Sequence, residues 1–211
     1  MRPISVPGRQ IRLLLLLAIV LSACSLGRST PPTRLYVLTA LSQSEGNQSK
    51  ASASSVAIGV GPVELPQYVN RPQIVSGENG NELQRASFDQ WAEPLDTNFT
   101  RVLAENLSQL LATERVAVFP WKGPVPLDYQ VVVEVTQFLG TPGGAVSLVA
   151  LWRVLGTDGK ETLISRQSHF TEATGSSDYE ALAAAMSRTV GALSRDIAAV
   201  ITNLKQRGTP S

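Results

Sequence analysis

Apolar residues recur at steps of three and four in two stretches of the chain, the spacing of a helix that buries one face. The first stretch follows Pro94, a residue suited to the first helical position. Its apolar face comprises Leu95, Phe99, Val102, Leu103, Leu107, Leu110 and Leu111, and its polar face Asp96, Asn98, Arg101, Glu105 and Gln109. The second stretch runs from Tyr179 to Leu204, and Ser177 and Glu180 before it have the spacing of a capping box. We therefore predict two amphipathic helices.

Elsewhere apolar and polar residues alternate, which is the period of a strand with one buried face. Three long segments show this best, at 129–138, 146–154 and 162–171, and the turns between them predict an antiparallel meander. Shorter strands are predicted at 34–38, 56–60, 83–88 and 116–119. The run Glu78-Asn79-Gly80-Asn81 is typical of a hairpin turn.

Prolines interrupt the segment from Leu65 to Val75, so we expect an ordered loop that leads into a short strand. Segment 42–55 is rich in small polar residues and is predicted to be a flexible loop. These elements predict an α+β fold, with two helices packed on one face of a mostly antiparallel β-sheet in a single domain. The domain is expected to span residues 34–205, followed by a C-terminal tail at 206–211.

The N-terminal segment has the pattern of a signal peptide. Three arginines precede an apolar run at 13–21, which is about half the roughly 20 residues needed to cross a bilayer. The run ends in Leu21-Ser22-Ala23-Cys24, which resembles the bacterial lipobox, where cleavage occurs before a cysteine that carries a diacylglyceryl group. We expect residues 1–23 to be a lipoprotein signal peptide and residues 24–33 to be the lipidated Cys24 and its tether. The alternative is an ordinary secretory signal with an unrelated cysteine.

Composition and charge indicate a globular chain and argue against some classes of binding partner. Hydrophobic residues make up 43% and charged residues 17%, which is the balance of a globular chain. Removal of residues 1–23 takes away three arginines and leaves 15 basic and 17 acidic residues. This balance argues against a nucleic-acid partner and against a polybasic site for lipid headgroups. With Cys24, the single cysteine, acylated, the domain is expected to contain no disulfide.

Candidate catalytic chemistry is sparse. His169 is the single histidine and falls within a predicted strand, whereas a zinc site needs three or four ligands. The sequence contains no Gly-x-Ser-x-Gly elbow, no dinucleotide fingerprint and no phosphate-binding Gly-Lys-Ser/Thr loop. We therefore predict no enzyme, no catalytic residue, no metal and no cofactor. One alternative stays open, an anchored hydrolase in which His169 meets a distant serine and aspartate.

Five features occur together along the chain. They are the lipobox, the strand Leu35-Tyr36-Val37-Leu38, the segment Tyr68-Val69-Asn70-Arg71-Pro72, the segment Trp91-Ala92-Glu93-Pro94-Leu95 and an alanine-rich last helix. In this combination the chain resembles the PqiC-like family, the auxiliary lipoproteins of ABC-type transport systems that work with MCE-domain proteins. The resemblance implies a periplasmic subunit, lipid-anchored through Cys24, of a machine that moves lipids or other hydrophobic molecules between the inner and outer membranes. Ser25 after the cysteine is compatible with the outer membrane.

The resemblance also implies an MCE-domain protein as partner. Because such proteins form rings and tubes, a homo-oligomeric ring of this chain would match them, although the periodicity does not decide the oligomeric state. The residues predicted to bind the partner are Tyr68, Arg71, Pro72 and Trp91, since Tyr, Trp and Arg are enriched at interface hot spots and a rigid loop loses little entropy. The alternatives are that Arg71 pairs with Glu64 or Glu93 and that Trp91 packs at the end of the fold.

A second function also stays open. The chain could be a periplasmic lipoprotein that itself carries a hydrophobic ligand between its helices and its sheet. That function requires an apolar cavity of several hundred Å³.

Overall fold

A computed structural model describes residues 31–42, 55–77 and 81–208. Cys24 and most of the predicted 78–81 turn lie outside the described residues. From Thr33 onward the chain forms one compact unit. Its elements are β1 (Arg34–Tyr36), β2 (Ile58–Glu64), β3 (Gln73–Ser76), β4 (Gln84–Trp91), α1 (Leu95–Leu110), β5 (Val116–Val118), β6 (Tyr129–Gly140), β7 (Ala145–Leu155), β8 (Thr162–Ala173) and α2 (Tyr179–Gly208).

The α+β class and the two helices are confirmed, and the strands divide between two sheets. The larger sheet has the order β5-β2-β6-β7-β8, and the smaller sheet has the order β1-β4-β3. Strands β6, β7 and β8 form the predicted antiparallel meander. Strand β2 pairs in parallel with both β5 and β6. These parallel pairs join strands that are distant in the chain, so the local alternation of apolar residues could not reveal them.

Both helices contact the larger sheet, and the core lies between them and its inner face. The alternating apolar residues of β7 are all buried: Val146, Leu148, Ala150, Trp152 and Val154. The Trp152 indole is satisfied there, because its Nε1–H donates to Ser168 Oγ at 3.0 Å. Phe99 of α1 meets Phe138 of β6 edge to face, with ring centroids 5.4 Å apart. Neither helix in the described part of the chain is long and apolar enough to span a membrane.

Each helix begins one residue later than the sequence predicts. Pro94 is the N-cap of α1 and not its first helical residue. Asp178 caps α2, since its carboxylate accepts a hydrogen bond from the Ala181 N–H at 2.7 Å. The predicted capping box that starts at Ser177 is therefore wrong. A carboxylate suits this position because the unpaired N–H groups of a helix N-terminus carry partial positive charge.

Replacing Asp178 by alanine is expected to lower the melting temperature by a few degrees near neutral pH. Hydrogen bonds from the Ser176 hydroxyl and the Ala181 N–H hold the pKa of this carboxyl below its ordinary value of 3.8. Because folding lowers this pKa, the Asp178 carboxylate stabilises the folded state at pH values above its ordinary pKa. This stabilisation is lost as the pH falls through the folded-state pKa. Melting curves of the wild type and Asp178→Ala, recorded across this acidic range, should therefore converge.

Asp178→Asn is the control, because it keeps an acceptor that does not titrate. The difference in melting temperature between Asp178→Asn and Asp178→Ala should be independent of pH. A wild-type advantage that persists unchanged in acid would contradict the capping role of the charge.

The segment after β1, residues 37–41, forms a strap against both helices. On α1, the Leu38 N–H donates to Asn98 Oδ1 at 2.6 Å and the Leu41 N–H donates to Asn106 Oδ1 at 2.8 Å. Asn98 and Asn106 are only 1% and 0% exposed. The prediction that Asn98 lies on a solvent-facing side of α1 is wrong, because the strap covers it.

On α2, the strap contacts Ser187 and Gly191. The Thr39 N–H donates to Ser187 Oγ at 3.1 Å. A Cβ atom at Gly191 would lie 2.7 Å from Leu41 Cδ2, so glycine is what allows the strap to approach this closely. The strap thus ties the N-terminal end of the domain to both helices.

Candidate partner-binding cleft

The loop at 65–72 is held by hydrogen bonds to its own backbone and to the start of α1. The N–H groups of Val69 and Asn70 both donate to the Pro66 carbonyl, at 3.1 and 3.2 Å. The Asn70 side chain donates to the Asp96 carboxylate at 2.9 Å and accepts from the Asp96 N–H at 3.3 Å. The prediction of an ordered loop that leads into a short strand is confirmed, since β3 follows it directly.

A cleft lies between this loop and the junction of β4 with α1. The Trp91 N–H donates to the Pro72 carbonyl at 2.7 Å, which joins the end of the loop to the end of β4. The cleft has a volume of about 370 Å³ and is lined by Asn70, Arg71, Pro72, Trp91, Ala92, Glu93 and Pro94. Of the four residues predicted to bind a partner, the fold brings Arg71, Pro72 and Trp91 together here.

Arg71 supplies the positive charge of the cleft. It forms no ion pair with any described residue, and its buried Nε has no hydrogen-bond partner among them. Glu93 instead pairs with Arg101 at 2.8 Å. The alternative in which Glu64 or Glu93 neutralises Arg71 is therefore wrong. The buried Nε donor costs about 1–3 kcal/mol without an acceptor, and the unpaired positive charge of the guanidinium favours binding of an external anion.

Trp91 lines the cleft although it is only 5% exposed. The ring belongs to the core, which agrees with the alternative in which Trp91 packs at the end of the fold. Pro72 and Pro94 are exposed beside it. The cleft therefore has rigid, mostly apolar walls around one cation.

Tyr68, the fourth predicted residue, does not line the cleft. It is half-buried and packs against the core. Burial raises the pKa of its hydroxyl, and a hydrogen bond with the Phe138 backbone lowers it in part. Tyr68 thus anchors the loop to β6, and a sequence cannot show in which direction a loop side chain will turn.

The prediction of binding residues missed four lining residues, Asn70, Ala92, Glu93 and Pro94. All four belong to the two short segments that contain the predicted residues, and that membership is the signal that could have found them.

Strand β1 brings the N-terminal end of the domain next to the cleft. Tyr36 is paired in register with Trp91, and the Ala92 N–H donates to the Tyr36 carbonyl at 2.8 Å. Arg34 and the Tyr36 hydroxyl each contact the Asp89 carboxylate at 2.8 Å. The hydrogen bond with Asp89 and the charge of Asp89 raise the pKa of Arg34. The pKa of Tyr36 is raised mainly by burial and also by its hydrogen bond to Asp89. Strand β1, at the start of the domain, therefore lies beside the cleft.

His169 lies on the exposed outer face of the larger sheet. Its Nε2 is 3.0 Å from Ser147 Oγ and 3.4 Å from Thr171 Oγ1. Within segments 31–42, 55–77 and 81–208, no carboxylate hydrogen-bonds to this imidazole, and no cluster of His, Cys, Asp and Glu could hold a metal ion. The triad that the hydrolase alternative needs is not assembled around His169 in the described residues.

Side chains fill the space between the helices and the larger sheet. The largest fully buried ones include Phe99, Leu103, Leu107, Leu148, Trp152, Leu182 and Leu193. This packing occupies the place where the lipid-carrying alternative requires a cavity.

Residues 36–198 match the family described as the ABC-type transport auxiliary lipoprotein component. The chain belongs to this family. The match covers both helices up to Ala198 and the cleft, and it confirms the predicted resemblance to PqiC-like proteins. No match was found among curated proteins.

Two solved structures are similar to this auxiliary lipoprotein over most of its length. One is a DUF330 protein from Xanthomonas campestris, with 18% identity and a TM-score of 0.67 over 84% of this chain and 100% of that one. The other is described as an uncharacterized protein, with 22% identity and a TM-score of 0.65 over 81% of this chain and 99% of that one. At these identities the likeness shows a common fold.

Family membership carries a functional class with it. The protein is an envelope lipoprotein of an auxiliary type, which serves ABC-type transport together with other components. The family is not a class of enzyme.

Proposed function

We propose that this protein is a lipid-anchored accessory subunit of an MCE/ABC-type system. That system would transport lipids or other hydrophobic molecules between the inner and outer membranes and so support envelope integrity. The family match over residues 36–198, downstream of the lipobox at Cys24, carries the proposal. The proposed location is the periplasmic side of the envelope with the anchor in the outer membrane, because Ser25 follows the cysteine. The role is non-catalytic.

The cleft is the proposed docking site for an MCE-domain protein. It combines Arg71, which lacks a counter-ion among the described residues, with Trp91, and both residue types are enriched at interface hot spots. The hydrogen bonds of the 65–72 loop limit the entropy lost on binding. Strand β1, at the start of the domain, lies beside the cleft, so an anchor on a tether of at most about 30 Å would hold a docked partner close to the membrane.

Arg71→Glu is expected to weaken binding to an MCE-domain partner protein by roughly 30-fold, since loss of a hot-spot residue costs about 2 kcal/mol. The melting temperature should stay unchanged, because Arg71 forms no ion pair in the described fold. Surface plasmon resonance with the mature lipoprotein in detergent gives the Kd, and calorimetry gives the melting temperature.

Arg153→Glu is the matched control, since Arg153 is exposed on the outer face of β7. It should bind like the wild type. An unchanged Kd for Arg71→Glu would show that the partner docks elsewhere, and a wild-type protein that fails to bind would contradict the proposed function itself. Native mass spectrometry of the same samples tests the predicted homo-oligomeric ring.

A further inference from the structure

We infer that the cleft binds an extended segment of its partner that presents a carboxylate next to an apolar side chain. The inference rests on the proposed function in that it takes the cleft as the docking site. It adds the chemistry that the docking segment must have.

The carboxylate follows from the state of Arg71. Its guanidinium has no anionic partner among the described residues, and its Nε lacks an acceptor. A guanidinium offers a planar set of donors that matches the two oxygens of a carboxylate. A carboxylate bound in the cleft would therefore supply the missing negative charge to the guanidinium.

The neighbouring acid does not take this role. Glu93 also lines the cleft, but its carboxylate is engaged by Arg101 at 2.8 Å, and Arg101 is in turn 3.9 Å from Glu105. Loss of this pair would be needed before Glu93 could turn to Arg71. Arg71 is therefore available to an external anion, because the Glu93 carboxylate is paired with Arg101.

The apolar side chain follows from the walls. Pro72 and Pro94 are exposed and have no backbone N–H to donate, and the largely buried Trp91 also lines the cleft. A volume of about 370 Å³ is near the lower end of ligand pockets and fits a short segment of chain. This small volume favours an extended peptide over a folded surface.

A phosphate headgroup fits less well. Phosphate recognition in proteins usually draws on clusters of arginines, whereas the lining of this cleft contains one arginine and one glutamate. A phosphate would be repelled by the nearby Glu93 carboxylate, and the lining contains no second cation to offset this repulsion. A carboxylate carries a single negative charge, which the one arginine of the lining can neutralise.

The test is an NMR titration of the ¹⁵N-labelled mature lipoprotein in detergent micelles. The probes are the blocked peptide acetyl-Leu-Glu-Leu-amide, its analogue with Gln in place of Glu, and inorganic phosphate. The indole N–H signal of Trp91 reports binding, and its assignment comes from Trp91→Phe. We expect a saturating shift with the Glu peptide and at least tenfold weaker binding of the Gln analogue.

Arg71→Gln should remove the preference for Glu over Gln, while Arg153→Gln, remote from the cleft, should keep it. No shift with either peptide, equal affinity for both, or an equal response to phosphate would each overturn the inference. The outcome is separable from that of the proposed function. If the MCE-domain protein binds the wild type but the peptides do not, the proposed function holds and this inference is wrong. If the peptides bind but the MCE-domain protein does not, the cleft is a carboxylate-binding site and the proposed function is wrong.

Discussion

Cys24→Ala, exported behind an ordinary cleavable secretory signal because lipobox cleavage needs the acylated cysteine, is expected to move nearly all of the protein from the membrane fraction to the soluble periplasmic fraction. A diacylglyceryl cysteine, usually with a third acyl chain, is a durable anchor because each buried CH₂ contributes about 0.8 kcal/mol. In the described part of the chain, neither helix is long and apolar enough to span a membrane. The excess of two acidic residues after position 23 also provides no attraction to anionic headgroups.

Fractionation by ultracentrifugation measures the distribution, and mass spectrometry of the N-terminal peptide measures acylation. Ser25→Ala is the control, because it changes the neighbouring residue and leaves the thiol that is acylated. A Cys24→Ala protein that stays with the membrane would mean that the anchor lies elsewhere. A wild-type peptide without lipid would favour the alternative of an ordinary secretory signal.

The double substitution Asn98→Ala with Asn106→Ala is expected to lower the free energy of unfolding by about 4–5 kcal/mol. Each asparagine accepts a hydrogen bond from a strap N–H, and alanine would leave that donor buried without a partner at a cost of about 1–3 kcal/mol. Asn106 also donates to Ser194 Oγ on α2 at 3.0 Å, so its loss removes a link between the helices. The sum is a large share of the 5–15 kcal/mol that stabilises a typical domain.

Urea unfolding followed by circular dichroism measures the effect. Asn203→Ala on α2 is the matched control, because this asparagine is exposed and should change stability by less than about 0.5 kcal/mol. A double variant as stable as the control would show that the strap contributes little. Each single variant should lose about half of the total, since the two sites hold different strap residues.

Much of the candidate site was predictable from short segments of sequence. Two prolines around Arg71 indicated a rigid loop, and Trp91 before a helix start indicated a packed junction. The fold brings these segments together through β3–β4 pairing and the bond from Trp91 to the Pro72 carbonyl. The direction of Tyr68 and the missing counter-ion of Arg71 were not predictable, because each depends on neighbours that are distant in the chain.

The order of apolar and polar residues alone established the two helices, the meander and the α+β class, while the lipobox and the short segments carried the resemblance to the family. Such features depend on neighbours within a few positions, where the helical and strand periods operate. Only the tertiary structure decided the parallel partners of β2, the burial of Asn98 and Asn106 beneath the strap, and the unpaired state of Arg71. In each case the energy comes from a contact between remote residues, which no local period encodes.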